Sequence, residues 1–273
     1  MSGSNNPNIR LSDSCEARHL GPDRGYGVIA TKDISSGRVI LRDEAIIKVD
    51  AENLMSGAAQ REINRRYNLL PAAQKQKYDA LHCFIRDEEW AAVQEKAQRI
   101  MPDARIRADY LADYRRACTF ATNSFGLATS RTQSAIFLDA ARFNHACYDV
   151  QLPRKGGAEK AARWEAYAVR DIEEGEEITL NYYYRTELRA ERQANLLYCW
   201  GFACTCDVCV PGPRSAQHDA NLRNLNSDSS FWGKNHHVSR WFTKEDIASY
   251  VERLEERLGL SRAVGDQDLI WVT

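Results

Sequence analysis

The stretch Leu196-Leu197-Tyr198-Cys199-Trp200-Gly201-Phe202-Ala203-Cys204-Thr205-Cys206-Asp207-Val208-Cys209 brings three thiols, Cys204, Cys206 and Cys209, within one loop's reach. Thiolates at C-x-C-x-x-C spacing are soft donors suited to tetrahedral Zn²⁺, which then needs a fourth ligand. Two cysteines qualify. Cys199 is near in sequence but lies in an apolar run, where a buried structural thiol is equally expected. Cys147 lies far upstream and would make the metal a clasp between distant segments. Four thiolates leave no open position for a substrate, so such a metal reads as structural rather than catalytic.

Outward from that cluster, the chain has an ordinary globular composition. Its 273 residues are 44% hydrophobic and 27% charged, enough for one or two domains with a buried core. Lys and Arg number 37 against 38 Asp and Glu, so no global basic field draws the chain to nucleic acid or to an anionic membrane. No run approaches the roughly 20 apolar residues of a membrane helix. The opening MSGSNNPNIRLSDSC has no apolar core of a signal peptide. Eight cysteines, five of them scattered, do not form a secreted disulfide framework. A soluble intracellular protein is expected.

Local pattern predicts an α+β fold. Residues 1–20 read as irregular, with at most one short strand. From Gly25 to Val49, β-rich runs at Tyr26–Ala30, Arg38–Leu41 and Ala45–Val49 alternate with a Ser35-Ser36-Gly37 turn. Between Ala58 and Phe120 the texture is helical. One helix opens at Leu69-Leu70-Pro71, and others are expected near Glu88–Ile100 and Ala104–Cys118. Strands return at Ser134–Leu138, Trp164–Val169 and Ile178–Tyr182, with a polar loop between Leu152 and Arg163. A charged helix over Glu187–Trp200 leads into the cysteines. Residues 211–240 read as a linker, and Ile247, Val251, Leu254 and Leu258 mark a closing amphipathic helix near Lys244–Leu258.

Three further stretches carry chemistry-bearing residues. Gly25-Tyr26-Gly27 is a tight turn on its face, although two glycines also admit close approach of a ligand to the backbone. Asn144-His145-Ala146-Cys147 follows an apolar run. Locally, His145 reads best as a satisfied core histidine. Gly175-Glu176-Glu177-Ile178-Thr179-Leu180-Asn181-Tyr182 joins an acidic turn to a strand, and the acidic pair reads as a solvated turn rather than a catalytic dyad. A phenol at a strand end can serve as a positioned hydrogen-bonding group.

Taken in order, these motifs and the cysteine cluster resemble the SET-domain lysine methyltransferases, and more narrowly the SET-and-MYND class and its fungal relatives. Arg192, Leu196, Trp200, Phe202 and the three cysteines follow the family's post-SET pattern. The resemblance covers about residues 20–210. It implies small β sheets around a pseudo-knot, with the SET domain divided into residues 20–57 and 121–185 by a helical insert at 58–120. A post-SET zinc module at 186–210 follows, then a linker and C-terminal helical tail at 211–273.

The resemblance also implies S-adenosylmethionine as cofactor. Gly25, Tyr26 and Gly27 would lie against it, Asn123 would bind its amino-acid end, and Asn144 and His145 its methionine and adenine portions. Phe202 would pack on the adenine. Tyr182 matches the family's catalytic tyrosine at the mouth of the acceptor channel, and also touches the cofactor. Cys147 matches the fourth zinc ligand beside Cys204, Cys206 and Cys209. The implied partner is a protein carrying an acceptor lysine, histone or non-histone. A monomer is expected, without direct nucleic-acid or membrane binding, residing in cytoplasm or nucleus.

The family's Asn-His-Ser-Cys-x-Pro-Asn stretch is here Asn144-His145-Ala146-Cys147-Tyr148-Asp149-Val150. The insert holds only Cys83 and Cys118, too few for a MYND finger. These departures keep open a SET scaffold redirected to a small-molecule substrate, or a non-catalytic binding protein. Retained Tyr182, Asn144 and both glycines speak against the last.

Overall fold

Strand pairing begins before residue 20, earlier than the sequence pattern indicates. The computed structural model describes residues 8–127, 132–147, 163–182 and 188–227. Here β1 (Ile9–Arg10) pairs antiparallel with β2 (Cys15–His19), which pairs in turn with β3 (Tyr26–Ala30). Cys15 and Ala17 of β2 are fully buried and alternate with more exposed neighbours. The charged residues between them masked this period of two. The segment therefore holds two strands, not an irregular stretch.

β4 (Val39–Glu44) and β5 (Ile47–Asp50) follow. Four helices come next, α1 (Gly57–Asn68), α2 (Ala72–Asp79), α3 (Asp87–Ile100) and α4 (Ala104–Asn123). Ser56 caps α1 by accepting from the Ala59 amide, and Asp103 caps α4 by accepting from Arg105 and Ile106. Pro71 stands at the N-cap of α2, where its missing N–H costs nothing. α4 runs on to Asn123, past the expected end at Cys118, with Phe120 fully buried and with Thr119 and Thr122 returning their hydroxyls to the carbonyls of Arg115 and Cys118.

The remaining elements are β6 (Phe125–Gly126), β7 (Gln133–Ile136), β8 (Asn144–His145), β9 (Arg163–Tyr167), β10 (Glu177–Leu180), α5 (Arg189–Trp200) and α6 (Pro213–Ser227). The strands form three small sheets, in the orders β1-β2-β3-β10-β8, β4-β9 and β5-β7-β6. The predicted helix at 244–258, Asp149, Val150 and the loop over 152–162 lie outside the described residues.

α6 occupies part of the stretch expected to be linker. Its buried positions Ser215, His218 and Leu222 recur at helical spacing. Two of the three are polar, so hydrophobic periodicity could not reveal the stripe. Pro213 starts the helix, and Ser215 accepts from the Gly212 amide while donating to the Gly212 carbonyl.

The chain forms two units. The first contains the described residues up to 144, 163–179 and 197–202, and the second 145–147, 180–182, 188–196 and 203–227. In the first unit the helices cover the β5-β7-β6 sheet. Ile63, Tyr67, Tyr78, Ala117 and Phe120 bury their side chains with Ile47, Val49 and Ile136 in one cluster. A second cluster packs Phe125 against Phe137 and Trp164, and Trp164 against Phe143.

One carboxylate anchors the approach to Asn144. Asp43 of β4 accepts from the amides of Asp139 (2.8 Å) and Ala140 (3.0 Å), capping the 3-10 turn Ala140–Arg142. Burial raises its pKa above the usual carboxylate range, against the lowering effect of those hydrogen bonds. A raised folded-state pKa favours the protonated form. This group's contribution is therefore largest below the unfolded value of about 3.9 and is lost as pH rises through the folded value. Asp43→Ala should lose about 1–3 kcal/mol in urea denaturation at pH 7, since two buried amides lose their acceptor. Asp43→Asn keeps a neutral acceptor and should lie within about 1 kcal/mol of wild type at pH 7. Lowering the pH into the carboxylate range should then shift the comparison in favour of wild type.

Candidate functional site

The cysteines resolve the choice that local spacing left open. The Sγ atoms of Cys147, Cys204, Cys206 and Cys209 lie within 4.8 Å of one another, with Cys147 at 3.4 Å from Cys209 and 3.9 Å from Cys204. Ligands about 2.3 Å from a tetrahedral Zn²⁺ stand about 3.8 Å apart, so the donor set fits that ion. Cys199, the candidate nearest in sequence, is exposed on α5 and outside this group.

Neighbouring residues hold the cluster's shape. Gln193 of α5 clasps Cys204 at both main-chain groups, donating to its carbonyl (2.7 Å) and accepting from its amide (2.9 Å). Buried Arg192 donates to the Val208 carbonyl (3.1 Å) and lies 3.7 Å from Asp219 of α6. The amides of Cys209 and Val210 both turn onto the Cys206 carbonyl. Asp219 accepts from the Arg189 amide, tying α6 to the start of α5.

Four thiols this close cannot all ionise by themselves. Cys147 is pushed up, first by its hydrogen bond to Cys204 and then by those to Cys206 and Cys209, while Cys206 is pushed down as their recipient. A bound dication inverts this logic and favours thiolates throughout.

His145 sits two residues from Cys147 with both ring nitrogens engaged. Nδ1 accepts from the Tyr182 amide at 3.0 Å, and Nε2 stands 3.1 Å from Cys147 Sγ. Burial pushes its pKa down to about 4, so the ring is neutral near pH 7. With Nδ1 accepting, the proton belongs on Nε2, directed at the sulfur. Such an outer hydrogen bond orients a metal-bound thiolate. The Tyr182 ring packs on the imidazole at 5.1 Å between centroids, and Asn181 donates to the Cys147 carbonyl at 3.3 Å. His145 is thus a half-buried histidine with both ring nitrogens engaged that also fastens the chain at Tyr182.

In the first unit, the two glycines differ in what they require. Gly25 adopts φ +59 at the close of a turn in which its carbonyl accepts from the Leu20 amide. Gly27 lies in β3, and a Cβ there would meet Leu20 Cδ1 at 2.4 Å, Glu177 Oε1 at 2.7 Å and Asn144 Nδ2 at 2.8 Å. Glycine at 27 admits these side chains. Tyr26 stands edge-on to His19 and under the guanidinium of buried Arg142, 5.2 Å away. Asn144 donates Nδ2 to Glu177 Oε1 at 3.0 Å.

Asn123, the last residue of α4, donates Nδ2 to the carbonyls of His82 (2.6 Å) and Thr119 (2.7 Å). Phe202 is half-buried in the same unit. It follows Gly201, whose φ of +78 and contact with the Phe84 ring exclude a side chain. The sequence reading missed Glu177, Arg142 and Gln193. The acidic turn was the one signal for Glu177, and it pointed to solvent.

Residues 25–183 match the SET-domain family model, more than half of the chain. This chain belongs to the SET-domain family. Two curated relatives are histone-lysine N-methyltransferases. One, SET5 of Meyerozyma guilliermondii, is 27% identical over 46% of this chain and 25% of its own length. The other, set5 of Schizosaccharomyces pombe, is 35% identical over 37% of this chain and 31% of its own length. The matches thus span about a quarter to a third of these relatives. Among solved structures, the chain is similar to the SET domain of LSMT bound to lysine and AdoHcy, with 13% identity and a TM-score of 0.46. That comparison covers 92% of this chain and 67% of the other.

Wild-type protein purified under reducing conditions should carry about one Zn²⁺ per chain by inductively coupled plasma mass spectrometry. Cys147→Ser should lose most of that metal, and Cys199→Ser should keep it. Equal retention by both variants would remove Cys147 from the ligand set.

Proposed function

We propose that this protein is an S-adenosylmethionine-dependent methyltransferase that acts on the ε-amino group of lysine in a protein. The observation that carries the reading is the fastening of Tyr182, the position matching the family's catalytic tyrosine, by its amide to the Nδ1 of half-buried His145. Membership of the SET family and the histone-lysine methyltransferase activity of the fungal relatives support the same reading.

The proposed division is that of the family: SET segments at 20–57 and 121–185, insert at 58–120, post-SET module at 186–210 and tail at 211–273. Cys147, Cys204, Cys206 and Cys209 hold a structural Zn²⁺. Gly25, Tyr26, Gly27, Asn123, Asn144, His145, Tyr182 and Phe202 bind the methyl donor. Both nitrogens of His145 are engaged within the protein, so its part in binding falls to the main chain.

S-adenosylmethionine supplies, when bound, a methyl group on a sulfonium, and transfer to an amine nitrogen discharges that cation. The protein's task is therefore alignment and exclusion of water rather than stabilisation of a developing anion. Tyr182 orients the acceptor nitrogen through its hydroxyl. That nitrogen must be neutral, although a free lysine has a pKa of about 10.4, and burial beside a positive charge lowers it. The acceptor is a lysine of a histone or another protein, the chain acts as a monomer, and it resides in cytoplasm or nucleus. Among the described residues no helix is long and apolar enough to cross a membrane.

Calorimetry should detect saturable binding of S-adenosylmethionine and S-adenosylhomocysteine, abolished or strongly weakened by Asn144→Ala. With a histone mixture and labelled donor, Tyr182→Phe should lower turnover by about 100-fold or more, in the range expected for a positioned hydroxyl. Binding of neither nucleoside would overturn the methyltransferase reading. Label in a small molecule but never in protein would move the reading to a redirected SET scaffold.

A further inference from the structure

We infer that Glu177, anchored by Arg24, is a positioning residue that acts through Asn144 and sets which atom of its carboxamide a ligand meets. The inference rests on the methyl-donor reading above and adds the residue that orients Asn144.

Glu177 is the second carboxylate of the acidic turn, and the two part company. Glu176 pairs with Arg170, whereas Glu177 turns inward, its side chain only 19% exposed. One of its oxygens takes the Arg24 guanidinium in an ion pair. Its other oxygen lies 3.0 Å from the Asn144 amide. An ionised carboxylate only accepts hydrogen bonds, so the atom of Asn144 facing it must be the NH₂ nitrogen. Oδ1, which only accepts, is thereby turned away from Glu177.

Two further features fix the arrangement. Gly27 has no space for a Cβ beside Glu177 Oε1 and Asn144 Nδ2, so the strand backs directly onto the pair. Asn123 has the same polarity, because its Nδ2 donates to two main-chain carbonyls and its oxygen is again the remaining atom. The carboxylate behind Asn144 thus fixes the direction of its carboxamide before any ligand arrives.

The test is calorimetric binding of S-adenosylmethionine to wild type, Glu177→Ala, Glu177→Gln, Asn144→Ala and the Glu177→Ala/Asn144→Ala double variant, with thermal melts alongside. Glu177→Ala should weaken binding about tenfold, or about 1.4 kcal/mol. Glu177→Gln, which keeps an acceptor oxygen in place, should stay within about threefold of wild type. In the Asn144→Ala background, removing Glu177 should add nothing, since a residue acting through Asn144 has no effect without it. A full additional tenfold loss there, or unchanged affinity in Glu177→Ala, would overturn the proposal.

A ligand-free readout separates this from the functional reading. The side-chain amide resonances of Asn144 in ¹⁵N-labelled protein should move in Glu177→Ala and stay near wild type in Glu177→Gln. Unmoved resonances in both would overturn the positioning role. Moved resonances together with no binding of S-adenosylmethionine by wild type would leave that role standing and overturn the methyl-donor reading.

Discussion

One half-buried imidazole is the constraint on which the arrangement of the second unit depends. His145 is neutral because burial makes its charged form costly. A neutral imidazole has one donor and one acceptor, so the ring has a direction. The acceptor nitrogen takes the Tyr182 amide and the donor faces Cys147 Sγ. A protonated ring would have two donors, and the Tyr182 amide would meet an N–H instead of a lone pair. The place of a strand end, the tautomer of a ring and the orientation of a thiol are thus one choice. Burial makes it.

Around that point the segment from Arg142 to Cys147 is held nearly residue by residue. Arg142 stacks on Tyr26, Phe143 packs against Trp164, Asn144 donates to Glu177, and Cys147 joins the other three thiols. The 3-10 turn ahead of it is capped by Asp43. A short segment with a partner for almost every side chain has little freedom left to lose when a ligand arrives. Pre-organised positioning is what an alignment-driven methyl transfer requires of a protein.

What could be read from the sequence follows from how local each signal was. C-x-C-x-x-C declares a metal within six residues, and the strands at 26–30 and 177–180 show in β-rich runs. Cys147 as fourth donor could not come from spacing, since the nearer Cys199 fits spacing better and is turned outward on α5. The family pattern singled it out, and the structure brings its sulfur within 4.8 Å of the other three. The stripe of α6 carries Ser215 and His218 where a periodicity search expects apolar residues. Strands β1 and β2 hide a period of two among charges that pair along the surface, as Arg18 does with Glu16. Glu177 was legible as an acidic turn but not as a partner of Asn144, because its two contacts lie far away in sequence, at Arg24 and Asn144.

The two glycines of Gly25-Tyr26-Gly27 show why a short motif alone underdetermines its meaning. Gly25 answers a backbone demand, since a positive φ strains any residue with a Cβ. Gly27 has no such strain, and what it supplies is an absence: the volume of one methyl, given over to Leu20, Glu177 and Asn144. Both glycines would be required in a protein with no ligand at all, so the motif's spacing cannot by itself distinguish a turn from a binding loop. The distinction lies in which side chains press into the vacated volume. At Gly27 two of the three are polar, and one is an asparagine whose outward atom is set by the carboxylate beside it. A motif filled by hydrocarbon would read as packing alone. This one packs an oriented amide, and the orientation is chemical information that a close-packed strand had no need to carry.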